Sequence, residues 1–507
     1  MGQYLRVEWR ASVGLIGAVL LYLTLPLLFP LALAVLYGEP VLPFLVPMAV
    51  TLGIGGGLRT LADIEEDVGP REAFLAVATI WLLVAAIGAL PFLVAGNGTI
   101  AQPVNAMFEA MSGLTTTGAT VIGDFDAHSQ SVLMWRQLLQ WLGGLGILIL
   151  VTAVLSEIGV GGAQLMETET QSQSSNRLTP RISETAQLIW GLYLGLTVLV
   201  VAVLAGMHYL GPVVGVELAP NMNLYNAVAH ALTSISTAGF SPEARSIEAF
   251  SAAVQWVLVP VMLLGSTSFV LIYFAIQGAP MRLLRSEEFR FYIGVFVLFT
   301  ATSAALLVGT QELDMGLHDT VRHAAFNVAS ILTTTGYASQ DFTNWPNAGQ
   351  NVLFAAMFVG GMVGSTTCSI KSLRWLVVLK SFRRDLFTAI HPNAVRPVRV
   401  SGNSVDEETI RDIYGYVLLS IVIFFLLTLF IVIDGARSGV DPTEFEAMGA
   451  AASTVLNIGP AFGRAGPMNN YLVFPESTRA VMVVLMWLGR IEIVPVLVLF
   501  TPSFWRS

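Results

Sequence analysis

FEAMSGLTTTGAT, from Phe108 to Thr120, decides how this chain is read. A short apolar segment runs into three threonines and a glycine. The arrangement returns as NAVAHALTSISTAGFS from Asn226 to Ser241, FNVASILTTTGYAS from Phe326 to Ser339, and FEAMGAAASTVLNIGPAFG from Phe445 to Gly463. Gly118, Gly239, Gly336 and Gly459 occupy one position of the pattern, and the first and fourth copies share Phe-Glu-Ala-Met. One Thr-Thr-Thr-Gly means nothing, and a lone glycine in a membrane helix more often marks close packing. Four copies, each after a half-length apolar segment and before a full-length one, define an internal repeat.

Around these copies lies a polytopic membrane protein. Of the 507 residues 55% are apolar and only 12% are charged, against about 25% charged in a soluble protein. That composition excludes a soluble enzyme, a disordered chain and a nucleic-acid binder. The single cysteine, Cys368, excludes an intrachain disulfide. Runs long enough to span, about 20 mostly apolar residues, fall at 11–36, 40–57, 73–95, 130–156, 185–210, 250–277, 289–309, 350–379, 409–433 and 477–500. Between them, Asn105–Leu114, Leu224–Ile235, Ala324–Leu332 and Glu444–Leu456 reach only about 14–20 Å of a hydrocarbon layer about 30 Å thick. They are expected to be re-entrant half-helices. The fold class is therefore all-α, with four units of span, half-helix, glycine turn and span in a pseudo-fourfold arrangement about one axis. The expected divisions are two extra N-terminal helices at 1–57, then units at 73–156, 185–277, 289–379 and 409–500. With the N-terminus in the cytoplasm, the cytoplasmic loops collect most of the 25 basic residues, as the positive-inside rule requires of a multi-pass protein of the cell membrane. The opposite loops are acidic, with Glu109, Asp124, Asp126, Glu243, Asp341 and Glu444.

Such a unit suits cation dehydration. A cation entering a membrane must exchange its hydration shell for other oxygens at close range. Backbone carbonyls provide them where the chain can turn freely, and glycine allows that because it populates positive φ. Thr115–Thr117 and Thr333–Thr335 add hydroxyls, and the half-helix C-termini direct the negative ends of their dipoles to the turn.

Two further features lie at membrane depth. Gly360, Gly361 and Gly364 with Ser365, Thr366 and Thr367 interrupt the run 350–379. Their backbone groups must face protein or a wet cavity. An unwound loop crossing the ion path as a gate fits the repeat context, and a kinked helix at a small-residue contact is the alternative. Arg490 lies in the middle of the last span, where a charge costs at least about 2.5–3.5 kcal/mol and normally faces the bundle interior. Glu492 is two residues away, on a different helix face. A salt bridge from Arg490 to Glu109 or another half-helix carboxylate is a structural alternative to a role in the path.

With these motifs the chain resembles the Trk/Ktr/HKT superfamily of potassium transporters over almost its whole length. Asn457-Ile458-Gly459-Pro460 resembles the fourth filter of that family, and Trp135-Arg136 followed by Trp141-Leu142-Gly143-Gly144-Leu145-Gly146 resembles its first post-filter helix. The two extra N-terminal spans are similar to the Trk branch. The resemblance implies a filter of Thr116-Thr117-Gly118, Thr237-Ala238-Gly239, Thr334-Thr335-Gly336 and Asn457-Ile458-Gly459, with Arg490 facing the pore and touching the gate loop. It implies K⁺ as the transported ligand, a homodimer, and a separate cytosolic ring of nucleotide-binding subunits. The chain departs from the family's pattern at Thr367, Cys368 and Ser369, where glycine is often found, and at Ala461 and Phe462 after Pro460. A Na⁺ or mixed K⁺/Na⁺ carrier is the nearest competitor, and glycine rather than serine at 118 favours K⁺. An intramembrane hydrolase would need a histidine near Ser365 or Ser369, and none lies in that segment. The chain has no nucleotide fingerprint, so no cofactor is expected in it, and its six histidines show no metal-ligand spacing. The basic stretch from Lys371 to Arg399 reads as a docking or lipid-headgroup surface, or as plain positive-inside anchoring.

Overall fold

A computed structural model describes residues 9–61, 70–150, 182–308 and 315–505. The N-terminal pair, α1 (Trp9–Tyr37) and α2 (Leu42–Thr60), packs through two glycines. A Cβ on Gly17 would lie 2.9 Å from the Gly55 carbonyl, and one on Gly55 3.0 Å from that of Gly17. Small residues let two membrane backbones approach in this way.

Four units follow. The first holds α3 (Pro70–Ala95), the half-helix α4 (Pro103–Leu114) and α5 (Gln130–Leu150). The second holds α6 (Ile182–Leu210), the half-helix α7 (Leu224–Ile235), α8 (Ala252–Gly265) and α9 (Phe269–Ile276), and α10 (Pro280–Arg285) leads out of it. In the third, α11 (Glu287–Leu307) precedes the half-helix α12 (Leu317–Leu332), α13 (Asn347–Ala356) and α14 (Ser372–Ile390). A small antiparallel hairpin, β1 (Arg399–Val400) with β2 (Asn403–Ser404), joins it to the fourth. That unit holds α15 (Glu407–Ser438), the half-helix α16 (Glu444–Val455), α17 (Glu476–Arg490) and α18 (Val494–Leu499), with α19 (Pro502–Trp505) behind it.

Among the described residues seven helices are long and apolar enough to cross a membrane, and α8 with α9 forms a further span bent by 106°. The lipid-facing side is plain on α15. Leu418, Val422, Phe425, Leu429 and Ile433 are exposed, whereas Val417, Ser420, Phe424, Leu427 and Ile431 are buried. Both sets recur every three or four residues, so one stripe meets the bundle and the other meets lipid.

Three expectations need correction. The runs 250–277 and 477–500 are broken, at Ser266–Ser268 and at Ile491–Ile493, because hydropathy reports apolar character and not backbone continuity. The third half-helix starts at Leu317 rather than Ala324, since its first turns, with His318, Asp319 and Arg322, are too polar for an apolar scan. Residues 151–156 of the run 130–156 lie outside the described residues, as do the first eight of the N-terminal pair's division.

The half-helices α4, α7 and α16 have 12 residues each, and α12 has 16. They start on ordinary signals: Pro103 at the first turn of α4, Asn223 accepting from the Asn226 N–H at 2.9 Å, and a capping box between Thr443 and Glu446. In the first, second and fourth units the post-turn helix crosses the end of its half-helix at a glycine. A Cβ on Gly143, Gly265 or Gly489 would run into the carbonyl of Leu114, Ile235 or Val455 respectively. Each of those carbonyls lies four residues before the turn glycine. The third unit has no helix at that point, and the chain unwinds there instead.

Candidate ion pathway

The four turns share one backbone conformation. Thr116, Thr237, Thr334 and Asn457 have φ of +53°, +49°, +50° and +53°, and two residues on Gly118, Gly239, Gly336 and Gly459 have +82°, +78°, +84° and +111°. Non-glycine residues held in this region cost on the order of 1–3 kcal/mol each and persist where surroundings over-determine them. Here the surroundings are the half-helix ends. Thr117 N donates to Ser112 O at 2.8 Å, Ala238 N to Thr233 O at 2.9 Å, Thr335 N to Ser330 O at 2.8 Å and Ile458 N to Ser453 O at 2.9 Å. The turns' N–H groups are thereby spent on the half-helices, and carbonyl oxygens are the backbone groups left to face elsewhere.

The turns close into a ring. A Cβ on Gly118 would collide with the carbonyl of Ala238, one on Gly239 with that of Thr335, one on Gly336 with that of Ile458, and one on Gly459 with that of Thr117. Each glycine thus abuts the carbonyl that precedes the next unit's glycine, and the fourth returns to the first. All four glycines line a single cavity of about 120 Å³, together with Arg136, Glu243 and Tyr471. Side chains pin the ring from behind. Gln140 Nε2 donates to Ala238 O at 2.5 Å while its Oε1 accepts from Phe240 N at 2.9 Å, and Tyr471 Oη donates to Gly459 O at 2.8 Å. A carbonyl has two lone pairs, so each of these oxygens retains one.

In three units the residue nine before the glycine ties down the chain after it. Glu109 accepts from Thr120 Oγ1 at 2.9 Å and Val121 N at 2.8 Å, His230 meets Ser241 Oγ at 3.0 Å, and Asn327 accepts from Ser339 N at 3.3 Å. Glu109 also forms a fully buried ion pair with Arg136 at 2.6 Å. That pairing removes Glu109 as a partner for Arg490.

On the side of the turns away from the cavity lies the segment from Met357 to Lys371, with no helix in it. Gly360, Gly361, Gly364, Ser365, Thr366 and Thr367 all belong to it, and all but Ser365 have backbone contacts that show how it is held. Gly360 N donates to Ile370 O at 2.8 Å and Ser372 N to Gly361 O at 2.9 Å, which closes the loop on itself. Three further bonds meet the break between α8 and α9: Met362 N donates to Ser266 O at 3.0 Å, Phe269 N to Gly364 O at 3.0 Å and Thr366 N to Gly265 O at 3.3 Å. Two interrupted helices therefore satisfy each other's backbone, as membrane depth demands. Ser365 Oγ and Thr367 Oγ1 bond one another at 2.6 Å, and Lys371 Nζ donates to Thr367 O. The loop touches the turns directly, through Thr366 Oγ1 to Thr237 Oγ1 at 3.0 Å and Cys368 N to Thr334 Oγ1 at 3.0 Å.

Arg490 ends α17 and is 1% exposed. Nη1 donates to Thr366 O at 2.9 Å and to Cys368 Sγ at 2.7 Å, and Nη2 donates to Gly143 O at 3.0 Å. No carboxylate is among these partners. The guanidinium binds the loop to the first unit and keeps its charge beside it. Glu492 pairs with Arg374, whose guanidinium stacks on the Tyr416 ring at 3.8 Å.

The sequence reading did not single out Gln140, Tyr471 or Glu288, whose Oε1 accepts from Val363 N at 2.8 Å. Their partners lie far along the chain, and only Gln140, a polar residue inside an apolar run, carried a hint. Among the described residues no group of three or more His, Cys, Asp or Glu could hold a metal ion.

Four half-helices with glycine turns ringing one cavity define a polytopic membrane protein of four repeated units with fourfold pseudosymmetry. Residues 44–507 match the family model described as TrkH, cation transport protein, and the chain belongs to that family. It is 35% identical to the Trk system potassium uptake protein TrkH of Halomonas elongata, across 98% of this chain and 99% of that one. With the protein of the same name from Escherichia coli K12 it shares 30% identity, covering 99% and 100%. The crystal structure of the potassium transporter TrkH from Vibrio parahaemolyticus superposes with a TM-score of 0.86 at 29% identity, covering 99% of this chain and all of that one. These relatives are cation transporters and not enzymes, so the hydrolase alternative falls.

Proposed function

We propose that this chain takes up K⁺ through the ring of four glycine turns, with the loop 357–371 and Arg490 as the gate beneath it. The observation that carries the reading is the closed cycle of glycine-to-carbonyl contacts, Gly118 to Ala238, Gly239 to Thr335, Gly336 to Ile458 and Gly459 to Thr117. A closed ring of carbonyls from four units supports the reading, because exchange of a hydration shell needs several oxygens at close range. Glycine at all four positions favours K⁺ over Na⁺, in keeping with the potassium uptake named for the relatives. Thr116, Thr117, Thr237, Ala238, Thr334, Thr335, Asn457 and Ile458 complete the filter. Arg490, whose hydrogen-bond partners among the described residues are carbonyls and a thiol, opposes a cation that has passed the glycines.

The N-terminus is cytoplasmic in this reading, and the units are bounded as the sequence divides them. The membrane unit is a homodimer, and a cytosolic nucleotide-binding ring acts on it, in keeping with relatives named as parts of a Trk system. Reconstitution into liposomes with a ⁸⁶Rb⁺ uptake assay tests the function. Uptake above protein-free liposomes, competed by K⁺ and poorly by Na⁺, is the expected result. A monodisperse protein giving no flux, or one preferring Na⁺, overturns it.

A further inference from the structure

The cavity over the glycine ring has two charged side chains in its lining, Arg136 and Glu243, and only one of them is neutralised. Arg136 spends its charge on Glu109, at 2.6 Å in a pair whose side chains are 1% and 0% exposed. The Phe240 ring covers the same guanidinium, its centre 4.0 Å away. Glu243 pairs with no basic side chain among the described residues. Arg245, two residues on, turns to Glu248 at 2.8 Å, and the group that donates to Glu243 Oε1, at 3.1 Å, is the neutral amide of Asn226. The lining of the mouth therefore keeps one uncompensated negative charge.

That charge is held in place. Ser241 Oγ accepts from Glu243 N at 3.0 Å and meets His230 Nε2 at 3.0 Å. Asn226 lies in the first turn of the same half-helix, α7. Backbone and carboxylate of Glu243 are thus both tied to the half-helix that leads into Gly239. The other acidic residues expected on this side do not share the position, since Asp124, Asp126, Asp341 and Glu444 are not part of the cavity lining. A cavity with low-dielectric walls focuses the field of such a carboxylate toward a cation inside it. At a separation of about 8 Å, unit charges raise the local cation concentration about twofold in bulk water, and about 30-fold at an effective permittivity near 20.

We propose that Glu243 is the entrance residue of the path, whose carboxylate concentrates monovalent cations over the glycine ring and acts on their charge rather than their size. The proposal rests on that ring being the ion path. The test is the concentration dependence of ⁸⁶Rb⁺ uptake by proteoliposomes, at ionic strengths set with N-methylglucamine chloride. In Glu243→Gln the half-saturating Rb⁺ concentration should rise about fivefold near 0.01 M ionic strength, within the range set by the two permittivities. The maximal rate and the Rb⁺/Na⁺ ratio should stay as in the wild type, because recruitment changes the cation supply and not the ring. The shift should shrink toward about 0.15 M, where the Debye length falls from about 30 Å to about 8 Å. Glu243→Asp should keep most of the wild-type behaviour. Glu217→Gln, which removes an exposed carboxylate from the loop before α7, should change nothing. Should Glu243→Gln not fold, Glu243→Ala carries the same expectation. An unshifted constant in a folded variant overturns the proposal. So does an equal shift in Glu217→Gln, which would assign the effect to the outer surface at large. A salt-independent loss of maximal rate or of the Rb⁺/Na⁺ ratio also overturns it, by making Glu243 a brace of the second turn. Absence of uptake by the wild type would count against the ion path itself, whereas normal wild-type uptake with an unshifted variant removes Glu243 alone.

Discussion

Replacing Gly118 by serine, beside the same change at Gly38, separates the ring's role from ordinary backbone strain. Both glycines have left-handed φ, +82° and +68°, and a side chain costs either of them about 1–2 kcal/mol. Only their surroundings differ. A Cβ on Gly38 meets nothing within 4 Å, whereas one on Gly118 falls on the Ala238 carbonyl. That oxygen is braced by Gln140, so the first and second turns must part to admit the side chain. Cation choice depends on where the oxygens of the ring stand, and each 1.4 kcal/mol of differential binding changes a ratio about tenfold. Gly118→Ser is therefore expected to lower the K⁺/Na⁺ permeability ratio at least about tenfold, and Gly38→Ser to leave it unchanged with a similar or smaller loss of stability. The assay is ⁸⁶Rb⁺ and ²²Na⁺ uptake by proteoliposomes of each variant, with monodispersity as the check on folding. A folded Gly118→Ser protein with the wild-type ratio would refute the reasoning, and so would an equal loss of selectivity in Gly38→Ser.

Three other expectations follow from the same geometry. Arg490→Ala should raise cation flux with little change in selectivity, because ions have passed the glycines before they meet it; shortening the loop through Gly364–Ser369 should act in the same direction and non-additively. Arg136→Met leaves the Glu109 carboxylate buried without its cation and should cost about 3–5 kcal/mol, seen as a lower denaturation temperature that Glu109→Gln in the same chain partly restores. Gly489→Ala should destabilise by about 1–3 kcal/mol, because its Cβ enters the Val455 carbonyl, while Gly415→Ala, with nothing within 4 Å, should stabilise α15 by about 0.5–1 kcal/mol.

The turns were legible because their requirement is local. A glycine after hydroxyl residues, at the end of a segment too short to span, states its own backbone conformation, and four copies removed the ambiguity of one. Arg490 stood out because a charge in an apolar run is costly wherever it points. Its contact with the loop, at Thr366 and Cys368, was legible only through the family resemblance, and Gly143 of the first unit was not legible at all. The breaks in the second and fourth units escaped for a related reason. Ser266, Thr267 and Ser268 are tolerable inside a helix, and it is the facing loop, with Met362 N on Ser266 O and Gly364 O on Phe269 N, that makes the interruption affordable. Gln140 reads as one polar residue on an apolar helix until Ala238 and Phe240 are brought to either end of its amide.

The central claim is that the four glycine turns hold the ion. Anomalous scattering from crystals of the chain grown in Rb⁺ addresses it most directly. The expected result is a peak on the axis enclosed by Gly118, Gly239, Gly336 and Gly459, lost in the Gly118→Ser protein. Rb⁺ found only at another place in the chain, with that ring empty, would contradict the account.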